Sequence, residues 1–316
     1  MKIVVLDGYN KNPGDLSWER LEAMGDVAIY DYTDDRDLDA RIGDAEILLT
    51  NKVKISRAVM DAHPQLKYIG VTATGYDPVD CVAAKEKGIV VTNVPVYGTA
   101  SVSQHAFAML LEITNQVALH NASVHEGDWV RSREFCYWKL PLHELAGKTM
   151  VVIGYGRIGQ TTGSIAKAFG MNVVAVDAFR NPNVTDPYMT LEEALPLADI
   201  VVLHCVLNKD NRGMINKDTI ALMKPGVILI NCARGPLVCE PDLVEGLKSG
   251  KVGYACLDVI SKEPMEEGSV LLNAPNCIIT PHIAGCSVEG RKRLLDVSMD
   301  NVQAFLEGKP QNVVNG

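Results

Sequence analysis

Short runs of Val, Ile and Leu recur along the chain, separated by longer stretches in which apolar residues return every three or four positions. Continuous apolar runs of this length indicate strands that are buried on both faces, as in a parallel sheet. The strand candidates are Ile3–Leu6, Ile47–Thr50, Tyr68–Val71, Val90–Thr92, Met150–Ile153, Val173–Val176, Ile200–Leu203, Val227–Asn231, Gly253–Leu257 and Ile278–Thr280.

Helical patterns fall between these strands, and Pro225-Gly226 follows one of them as a stop signal. The regular alternation of strand and helix predicts a doubly wound α/β fold with largely parallel sheets. The helix candidates are Ala100–Leu119, Ile158–Ala168, Lys217–Met223, Glu240–Lys248 and Val288–Leu306.

A long apolar helix that begins near Thr99 divides the α/β pattern into two sets. One set fills the first 98 residues, and the second ends at the strand before His282. The last helix lies beyond the second set, so we expect the two ends of the chain to meet. The predicted domains are therefore residues 1–98 with 289–316, and a domain over 99–288 that is inserted between them.

Composition narrows the classes of protein. The chain has 316 residues, of which 47% are hydrophobic and 22% charged, as is usual for a globular protein. Its 30 Lys and Arg against 39 Asp and Glu give a net charge of −9, which does not favour binding to nucleic acid. No apolar run approaches the roughly 18 residues of a membrane helix, so no membrane partner is expected. The eight cysteines include no C-x-x-C pair, which favours reduced thiols and a cytoplasmic location.

A glycine motif carries the sharpest chemical signal. Gly154, Gly156 and Gly159 form G-x-G-x-x-G directly after a strand, with Arg157 and Ile158 at the start of the following helix. Gly154 permits a tight turn, Gly156 lets a pyrophosphate approach the backbone, and Gly159 lets helix and strand pack closely. Since a helix N-terminus also offers free N–H groups to phosphates, the motif predicts a dinucleotide site.

An acidic residue at the end of the next strand favours one dinucleotide over the other. Asp177 lies 18 residues after Gly159, where its carboxylate would accept hydrogen bonds from the adenosine ribose and repel a 2′-phosphate. We therefore predict NAD (NADH) as the cofactor. Arg180 leaves NADP open, because a nearby cation can accommodate that phosphate.

Three polar side chains follow strand ends in the second half of the chain. Arg234, Glu263 and His282 each come shortly after a strand candidate. Ligands of open α/β sheets bind outside the carboxyl ends of the strands, so these side chains can converge on one crevice. Each alone also fits a simpler role, as a surface salt-bridge partner, a solvated loop carboxylate or a structural histidine.

Together these segments resemble the D-isomer-specific 2-hydroxyacid dehydrogenases, and the resemblance extends over essentially the whole chain. The segments that carry it are Ala73–Asp80, Gly154–Gly159, Asn231–Gly235, Leu257–Pro264 and Thr280–Gly285. Within that family the chain looks most like the glycerate dehydrogenase (hydroxypyruvate reductase) branch. That likeness rests on Asn93–Pro95, the region of Trp129, and Phe135–Trp138.

The resemblance implies a catalytic trio whose roles are also chemically sensible. His282 is the expected general acid and base, giving a proton to the keto oxygen as hydride arrives. Glu263 is expected to hydrogen-bond His282 and orient its ring. Arg234 is expected to hold the substrate carboxylate and the keto oxygen with its rigid fork.

The resemblance also implies the binding sites. Substrate is expected between the domains, where Thr74 and Gly75 present backbone N–H groups and Arg234 and His282 complete the pocket. The domain over 99–288 is then a Rossmann-type NAD-binding domain, inserted into a flavodoxin-like substrate domain. Besides the glycine motif and Asp177, the expected cofactor contacts are Cys205, Cys232, Ala233, Arg234, Asp258, His282 and Gly285.

Other candidate residues have simpler explanations. We interpret His105, His120 and His204 as structural, and the acidic segment Asp31–Asp39 as solvated because its spacing fits no calcium loop. No group has the spacing of a zinc site, so no metal is predicted. Trp138 has two interpretations: it packs in the homodimer that the resemblance implies, or it reaches the partner subunit's substrate pocket.

The leading hypothesis is reversible hydride transfer between NAD(H) and a small D-2-hydroxy acid/2-keto acid pair, with D-glycerate/hydroxypyruvate or glyoxylate as the expected substrate. Two alternatives stay open. One is an NAD-sensing binding scaffold, like the relatives of this fold that act as corepressors. The other is a dehydrogenase for a bulkier 2-keto acid.

Overall fold

The computed structural model describes all 316 residues and divides into two units. The terminal unit comprises Met1–Gly98 and Gly285–Gly316, and the central unit comprises Thr99–Ala284. The chain therefore crosses between the units twice, once after Gly98 and once after Ala284. The assignment of substrate to one unit and of cofactor to the other stays a prediction.

The terminal unit is built on a five-stranded parallel sheet with the strand order β2-β1-β3-β4-β5. Its strands are β1 (Lys2–Val5), β2 (Asp26–Ile29), β3 (Ile47–Thr50), β4 (Tyr68–Val71) and β5 (Val90–Thr92). Its first helices are α1 (Glu19–Glu22), α2 (Leu38–Ile42), α3 (Arg57–Ala62) and α4 (Cys81–Glu86), with a 3-10 turn at Asp35–Asp37.

The central unit is built on a six-stranded parallel sheet with the strand order β11-β10-β9-β8-β6-β7. Its strands are β6 (Thr149–Ile153), β7 (Asn172–Val176), β8 (Ile200–Leu203), β9 (Val227–Asn231), β10 (Val252–Leu257) and β11 (Cys277–Ile279). Its helices are α5 (Thr99–Asn115), α6 (Val117–His125), α7 (Asp128–Arg131), α8 (Arg157–Ala168), α9 (Leu191–Ala194), α10 (Lys217–Leu222) and α11 (Glu240–Lys248). The 3-10 turns are Leu195–Leu197, Gly235–Leu237 and Val270–Asn273.

The last helix, α12 (Val288–Leu306), returns the chain to the terminal unit and covers one face of its sheet. Successive strand residues point to opposite faces, so Ile3 packs with the α12 cluster while Val4 packs in the cluster on the other face. Both residues are fully buried. The sheet is thus covered on both sides, as the continuous apolar runs predict.

The central sheet follows the same rule, since Val151 and Val152 of β6 belong to two different buried clusters. Strand β6 has β7 on one side and β8 on the other, so the chain changes direction across the sheet at β6. Ligands of open α/β sheets bind in the crevice at such a switch point, outside the carboxyl ends of the strands. The turns after β6 and β8 are therefore the place for a ligand.

The predicted fold class is confirmed, because both units are parallel α/β sheets covered by helices. Two elements differ from the sequence expectations. The helix expected over Ala100–Leu119 is two helices, since Gln116 adopts a left-handed conformation with φ 51° between α5 and α6. Strand β2 was missed, because its four residues are only partly buried and begin with a polar Asp26. None of the helices is long and apolar enough to cross a membrane.

Candidate active site

The glycine turn after β6 is shaped by close backbone contacts. Gly154 has φ 93°, and a Cβ there would lie 2.3 Å from the backbone nitrogen of Cys205. A Cβ on Gly159 would lie 2.1 Å from the carbonyl oxygen of Gly154. Both positions therefore require glycine, the first for the left-handed turn and the second for the approach of α8 to that turn.

Gly156 is different, because a Cβ there would meet no atom within 4 Å. The glycine stands immediately before α8, whose first N–H groups have no acceptor inside the helix. Open space in front of free N–H groups and a positive helix end fits a pyrophosphate. Gly156, Arg157 and Ile158 are thus the residues that would hold the phosphates of a dinucleotide.

Asp177 follows β7 and is bonded to the same turn. One carboxylate oxygen accepts the Tyr155 N–H at 2.6 Å, and the other accepts the Phe179 N–H at 2.9 Å. These bonds hold a half-buried carboxylate beside the glycine turn, and each oxygen keeps a lone pair for a ribose hydroxyl. Arg180 is exposed nearby in sequence, so the choice between NAD and NADP stays a prediction.

His282 and Glu263 form a directly bonded pair. The His282 Nδ1 atom is 2.7 Å from Glu263 Oε2, while Glu263 Oε1 accepts the Ile260 N–H at 3.2 Å. The carboxylate accepts from Nδ1–H, which fixes the orientation of the ring, and the role of His282 in proton transfer stays a prediction. The side chains of His282 and Glu263 are 37% and 31% exposed, so solvent-borne ligands have access to the pair.

Asp258 holds the turn that carries His282. Its carboxylate is 1% exposed and accepts hydrogen bonds from Ile283 N at 2.8 Å, Ala284 N at 2.9 Å and Thr280 Oγ1 at 2.6 Å. Burial alone would raise the pKa of this carboxyl group, but the His105 ring, followed by the Thr280 hydroxyl and the two backbone N–H groups, outweighs burial and lowers the pKa. The carboxylate is therefore ionised at neutral pH and fixes both flanks of His282.

This use of Asp258 was missed from the sequence, which assigns the residue only to the cofactor. The carboxylate oxygens bond within the chain, and the contact of Asp258 with a nicotinamide amide stays a prediction. The sequence signal was available in outline, since Asp258 directly follows a buried strand next to the His282 segment.

Arg234 is positioned by a buried asparagine at the end of β9. The Asn231 side chain accepts the Ala233 N–H and donates to the Arg234 carbonyl oxygen, both at 3.0 Å. Arg234 itself donates from Nη1 to the Ala233 carbonyl oxygen at 2.7 Å. One of the five guanidinium N–H donors is thus used within the chain, and the contact of Arg234 with an anionic substrate stays a prediction.

Gly235 brings the Arg234 segment against the Glu263 segment. A Cβ on Gly235 would lie 1.9 Å from the Ile260 carbonyl carbon and 2.4 Å from the Ser261 nitrogen. Only glycine allows this approach, which joins the turns after β9 and β10. Gly235 was not among the predicted site residues, although its place directly after Arg234 was a usable signal.

The cysteines predicted near the cofactor lie beside these turns. The backbone of Cys205 passes over Gly154, and burial raises the pKa of the Cys205 thiol to about 11. Burial also raises the pKa of the Cys232 thiol well above its ordinary value. Both thiols are therefore protonated at neutral pH and are poor nucleophiles. Cys205 packs in the same apolar cluster as buried Ala233, whereas Cys232 packs against the cluster on the other face of the sheet.

Three predicted site residues belong to the terminal unit. Thr74 donates its hydroxyl to the Val94 carbonyl oxygen at 2.8 Å, and its own carbonyl oxygen accepts from Asn93 Nδ2 at 2.7 Å. The hydroxyl and carbonyl are thus engaged, which leaves the backbone N–H as the group for a ligand. The contacts predicted for Thr74, Gly75 and Gly285 stay predictions.

The histidines interpreted as structural have protein partners. His204 is half-buried, its Nε2 bonds to Thr162 Oγ1 at 3.0 Å, and desolvation lowers the pKa of the ring to about 4. His120 Nδ1 lies 2.7 Å from the Gln116 carbonyl oxygen. His105 contacts Thr280 at 2.9 Å, which connects it to the turn that carries His282.

Known proteins are similar to this chain in sequence and in fold. Residues 107–284 match the D-isomer-specific 2-hydroxyacid dehydrogenase NAD-binding domain. The chain is 53% identical to a hydroxypyruvate reductase of Blautia hydrogenotrophica over 321 aligned positions that cover 100% of both chains. It is 41% identical to a glycerate dehydrogenase of Methylorubrum extorquens, covering 87% of each. Among solved structures it is similar to a D-lactate dehydrogenase of Aquifex aeolicus with bound NAD and lactic acid, at a TM-score of 0.86 and 29% identity over 100% of this chain and 99% of that chain.

Proposed function

Because this chain belongs to the D-isomer-specific 2-hydroxyacid dehydrogenase family, we propose that it transfers a hydride between NAD(H) and the D-glycerate/hydroxypyruvate pair. Glyoxylate is the second keto acid that we propose as a substrate. One observation carries the proposal: the 2.7 Å Glu263–His282 pair stands on a loop that contacts the Arg234 turn through Gly235. An acid/base and a fixed cation on adjoining turns suit the reduction of a 2-keto acid.

The proton path follows from the bonding of the His282 ring. Protonated His282 gives its Nε2 proton to the keto oxygen of the substrate, and that oxygen becomes the hydroxyl group of the product. Glu263 stabilises the imidazolium before the transfer and keeps Nδ1–H in place after it. The bound nicotinamide dinucleotide supplies the hydride to C2. In the oxidative direction His282 takes the hydroxyl proton back.

Arg234 binds the substrate and polarises it. Its planar fork matches a carboxylate, and its charge stabilises the negative charge that develops on the keto oxygen. The net charge of −9 describes the chain as a whole, whereas this turn offers a cation to an acidic substrate. The proposal therefore requires Arg234 for both affinity and rate.

A panel of keto acids tests the proposed function. NADH oxidation is measured with hydroxypyruvate, glyoxylate, pyruvate, 2-ketoisocaproate and phenylpyruvate. We expect the highest kcat/KM with hydroxypyruvate or glyoxylate. Preference for phenylpyruvate or 2-ketoisocaproate would point to a dehydrogenase for bulkier acids. Tight NADH binding without turnover of any acid would instead support a binding scaffold.

We propose NAD rather than NADP as the cofactor, because the Asp177 carboxylate is held beside the glycine turn. Asp177→Ser is expected to lower kcat/KM for NADH by about 10- to 100-fold, the range for losing hydrogen bonds to a charged group. The same change removes the repulsion of a 2′-phosphate, so the NADH/NADPH ratio of kcat/KM falls. Steady-state kinetics with both cofactors measures the ratio. Arg180→Ala is the control, and a wild-type preference for NADPH would contradict the assignment.

The contact at Gly235 yields a prediction about geometry. Gly235→Ala places a methyl group on the Ile260 carbonyl, and a backbone group cannot turn aside as a side chain does. The loop that bears Glu263 then shifts away from Arg234, and kcat falls by about 100-fold, as for a displacement of roughly 1 Å in a site. Gly268→Ala is the matched control, because a Cβ there meets no atom within 4 Å. Equal activity of the two variants would show that the contact is unimportant.

We also propose a homodimer, because an exposed apolar surface occupies residues 117–142. Val130, Phe135 and Trp138 are 89%, 86% and 66% exposed, and Trp129 lies among them at 52%. Large exposed aromatic groups of this kind are covered in an assembly. Sedimentation should give a dimer that Val130→Lys with Phe135→Lys dissociates, and a monomeric wild type would contradict the proposal. If Trp138→Ala still forms a dimer, its KM for the keto acid distinguishes the two roles of Trp138. An unchanged KM indicates packing alone, and a raised KM indicates a role in the partner's pocket.

We propose the cytoplasm as the location, since its reducing conditions suit the cysteines of this chain. Burial raises the pKa of the Cys277 thiol to about 11, and Cys256 is fully buried as a small apolar residue. Fractionation of cells that express the chain tests the location, and recovery outside the cytoplasm would contradict it.

A further inference from the structure

A histidine outside the catalytic trio is bonded to the turn that carries His282. His105 stands in the second turn of α5, the helix with which the chain enters the central unit. Its side chain is 19% exposed, and its Nε2 lies 2.9 Å from Thr280 Oγ1 and 3.5 Å from Asp258 Oδ1. No sequence pattern connects this residue with the site.

The direction of each hydrogen bond follows from the number of protons. The Thr280 hydroxyl has one proton, and its 2.6 Å contact with the Asp258 carboxylate is far shorter than its 3.9 Å contact with Met109 Sδ. A charged acceptor at the shorter distance takes the proton. Thr280 Oγ1 therefore accepts from His105 Nε2–H. The hydrogen-bond network thus runs from His105 through Thr280 to Asp258.

From Asp258 the hydrogen-bond network continues to the backbone at and after His282. Asp258 accepts the N–H groups of Ile283 and Ala284, and its own carbonyl oxygen accepts the His282 N–H at 2.8 Å. His282 has φ 55°, a left-handed conformation that a side chain other than glycine adopts at a cost. Surrounding hydrogen bonds must hold such a residue in place.

We propose that His105 is a positioning residue for the reaction. Its hydrogen bond to Thr280 supports the hydrogen bonds by which Asp258 holds the backbone around His282. His282 is thereby kept in the conformation in which its ring bonds to Glu263. The inference rests on the proposed function for its kinetic consequence, but not for its structural one. The network lies entirely within the central unit. His105 lies on the helix that follows the first crossing, and Ala284 is the last residue before the second.

Two substitutions remove the link from opposite ends. His105→Leu removes the donor, and Thr280→Val removes the hydroxyl while keeping the shape of the side chain. We expect each to lower kcat for keto-acid reduction by about 10- to 100-fold, because the acid/base is misplaced and not lost. The KM for the keto acid and the Kd for NADH stay within about twofold. The double variant is expected to be no worse than Thr280→Val, because Thr280→Val already removes the hydrogen bond from His105 as well as the one to Asp258.

Rescue and hydrogen exchange separate positioning from a general loss of stability. His105→Gln keeps an N–H donor and is expected to recover most of kcat. Exchange of the Ile283 and Ala284 amide protons, followed by NMR, should accelerate in His105→Leu and Thr280→Val and stay slow in His105→Gln. Thr114→Val is the control, because Thr114 also lies on α5 but its hydroxyl bonds only to residues of that helix.

The outcomes distinguish the proposed function from the positioning role of His105. A wild-type chain without turnover removes the proposed function, while the exchange data still decide whether His105 holds the turn. Unchanged kcat and unchanged exchange in His105→Leu would overturn the inference. A loss of kcat that His105→Gln does not recover, with a melting temperature lowered in all variants alike, would also overturn it.

Discussion

His282→Gln is expected to lower kcat for hydroxypyruvate reduction by about 10²- to 10⁴-fold, the usual contribution of a positioned general acid. Glutamine is close to histidine in size and can still donate to Glu263, but it has no proton to transfer at neutral pH. The substitution does not change the glycine turn after β6, which is the predicted dinucleotide site. The Kd for NADH is therefore expected to stay within about twofold of wild type. Stopped-flow oxidation of NADH measures the rate, and fluorescence titration measures the affinity.

His63→Gln is the matched control for His282→Gln. His63 is 7% exposed and bonds to Asp39 and to the Gly43 carbonyl oxygen, so the control also removes a bonded histidine. We expect it to affect stability and leave kcat close to that of wild type. Full activity of His282→Gln would assign the proton transfer to another group.

Arg234→Lys is expected to lower kcat/KM by about 10²- to 10³-fold, the range for losing one donor to a developing oxyanion. Lysine keeps the charge but loses the planar fork, which can hold a carboxylate with two parallel bonds. The loss is therefore divided between a higher KM, from weaker carboxylate binding, and a lower kcat, from weaker polarisation of the keto oxygen.

The full kinetic split for Arg234→Lys is measured with hydroxypyruvate and glyoxylate at saturating NADH. Arg212→Lys is the control, because Arg212 is an exposed arginine of the same unit outside the described turns. A lysine variant with wild-type kcat and KM would show that the cation acts only through its charge. The bonds of Asn231 to the Arg234 turn would then serve packing alone.

Much of the fold could be predicted because it depends on local pattern. The Val and Ile runs of β6, β8 and β9 are apolar throughout, and only a sheet covered on both faces buries such strands completely. The glycine motif was equally readable, since Gly154 and Gly159 are required by contacts with the turns and helix next to them. The sequence prediction missed strand β2, because this strand is only partly buried and lacks a continuous apolar run.

The contacts of the positioning residues could not be predicted, because their partners are distant in sequence, although the places of Gly235 after Arg234 and of Asp258 after a buried strand were visible in the sequence. Gly235 is required by a contact with Ile260, and His105 acts through Thr280, 175 residues away. No pattern around either residue indicates its partner. The same holds for Asp258, whose two oxygens are bonded by donors that surround His282 only in the folded chain.

Transfer of deuterium from the cofactor to the keto acid tests the proposed function most directly. The chain is incubated with hydroxypyruvate and NADH that carries two deuterium atoms at C4 of the nicotinamide, and the product is examined by chiral chromatography and mass spectrometry. We predict D-glycerate with one deuterium atom at C2, at a rate that falls with His282→Gln. Unlabelled glycerate, the L-isomer, or bound NADH without any product would contradict it.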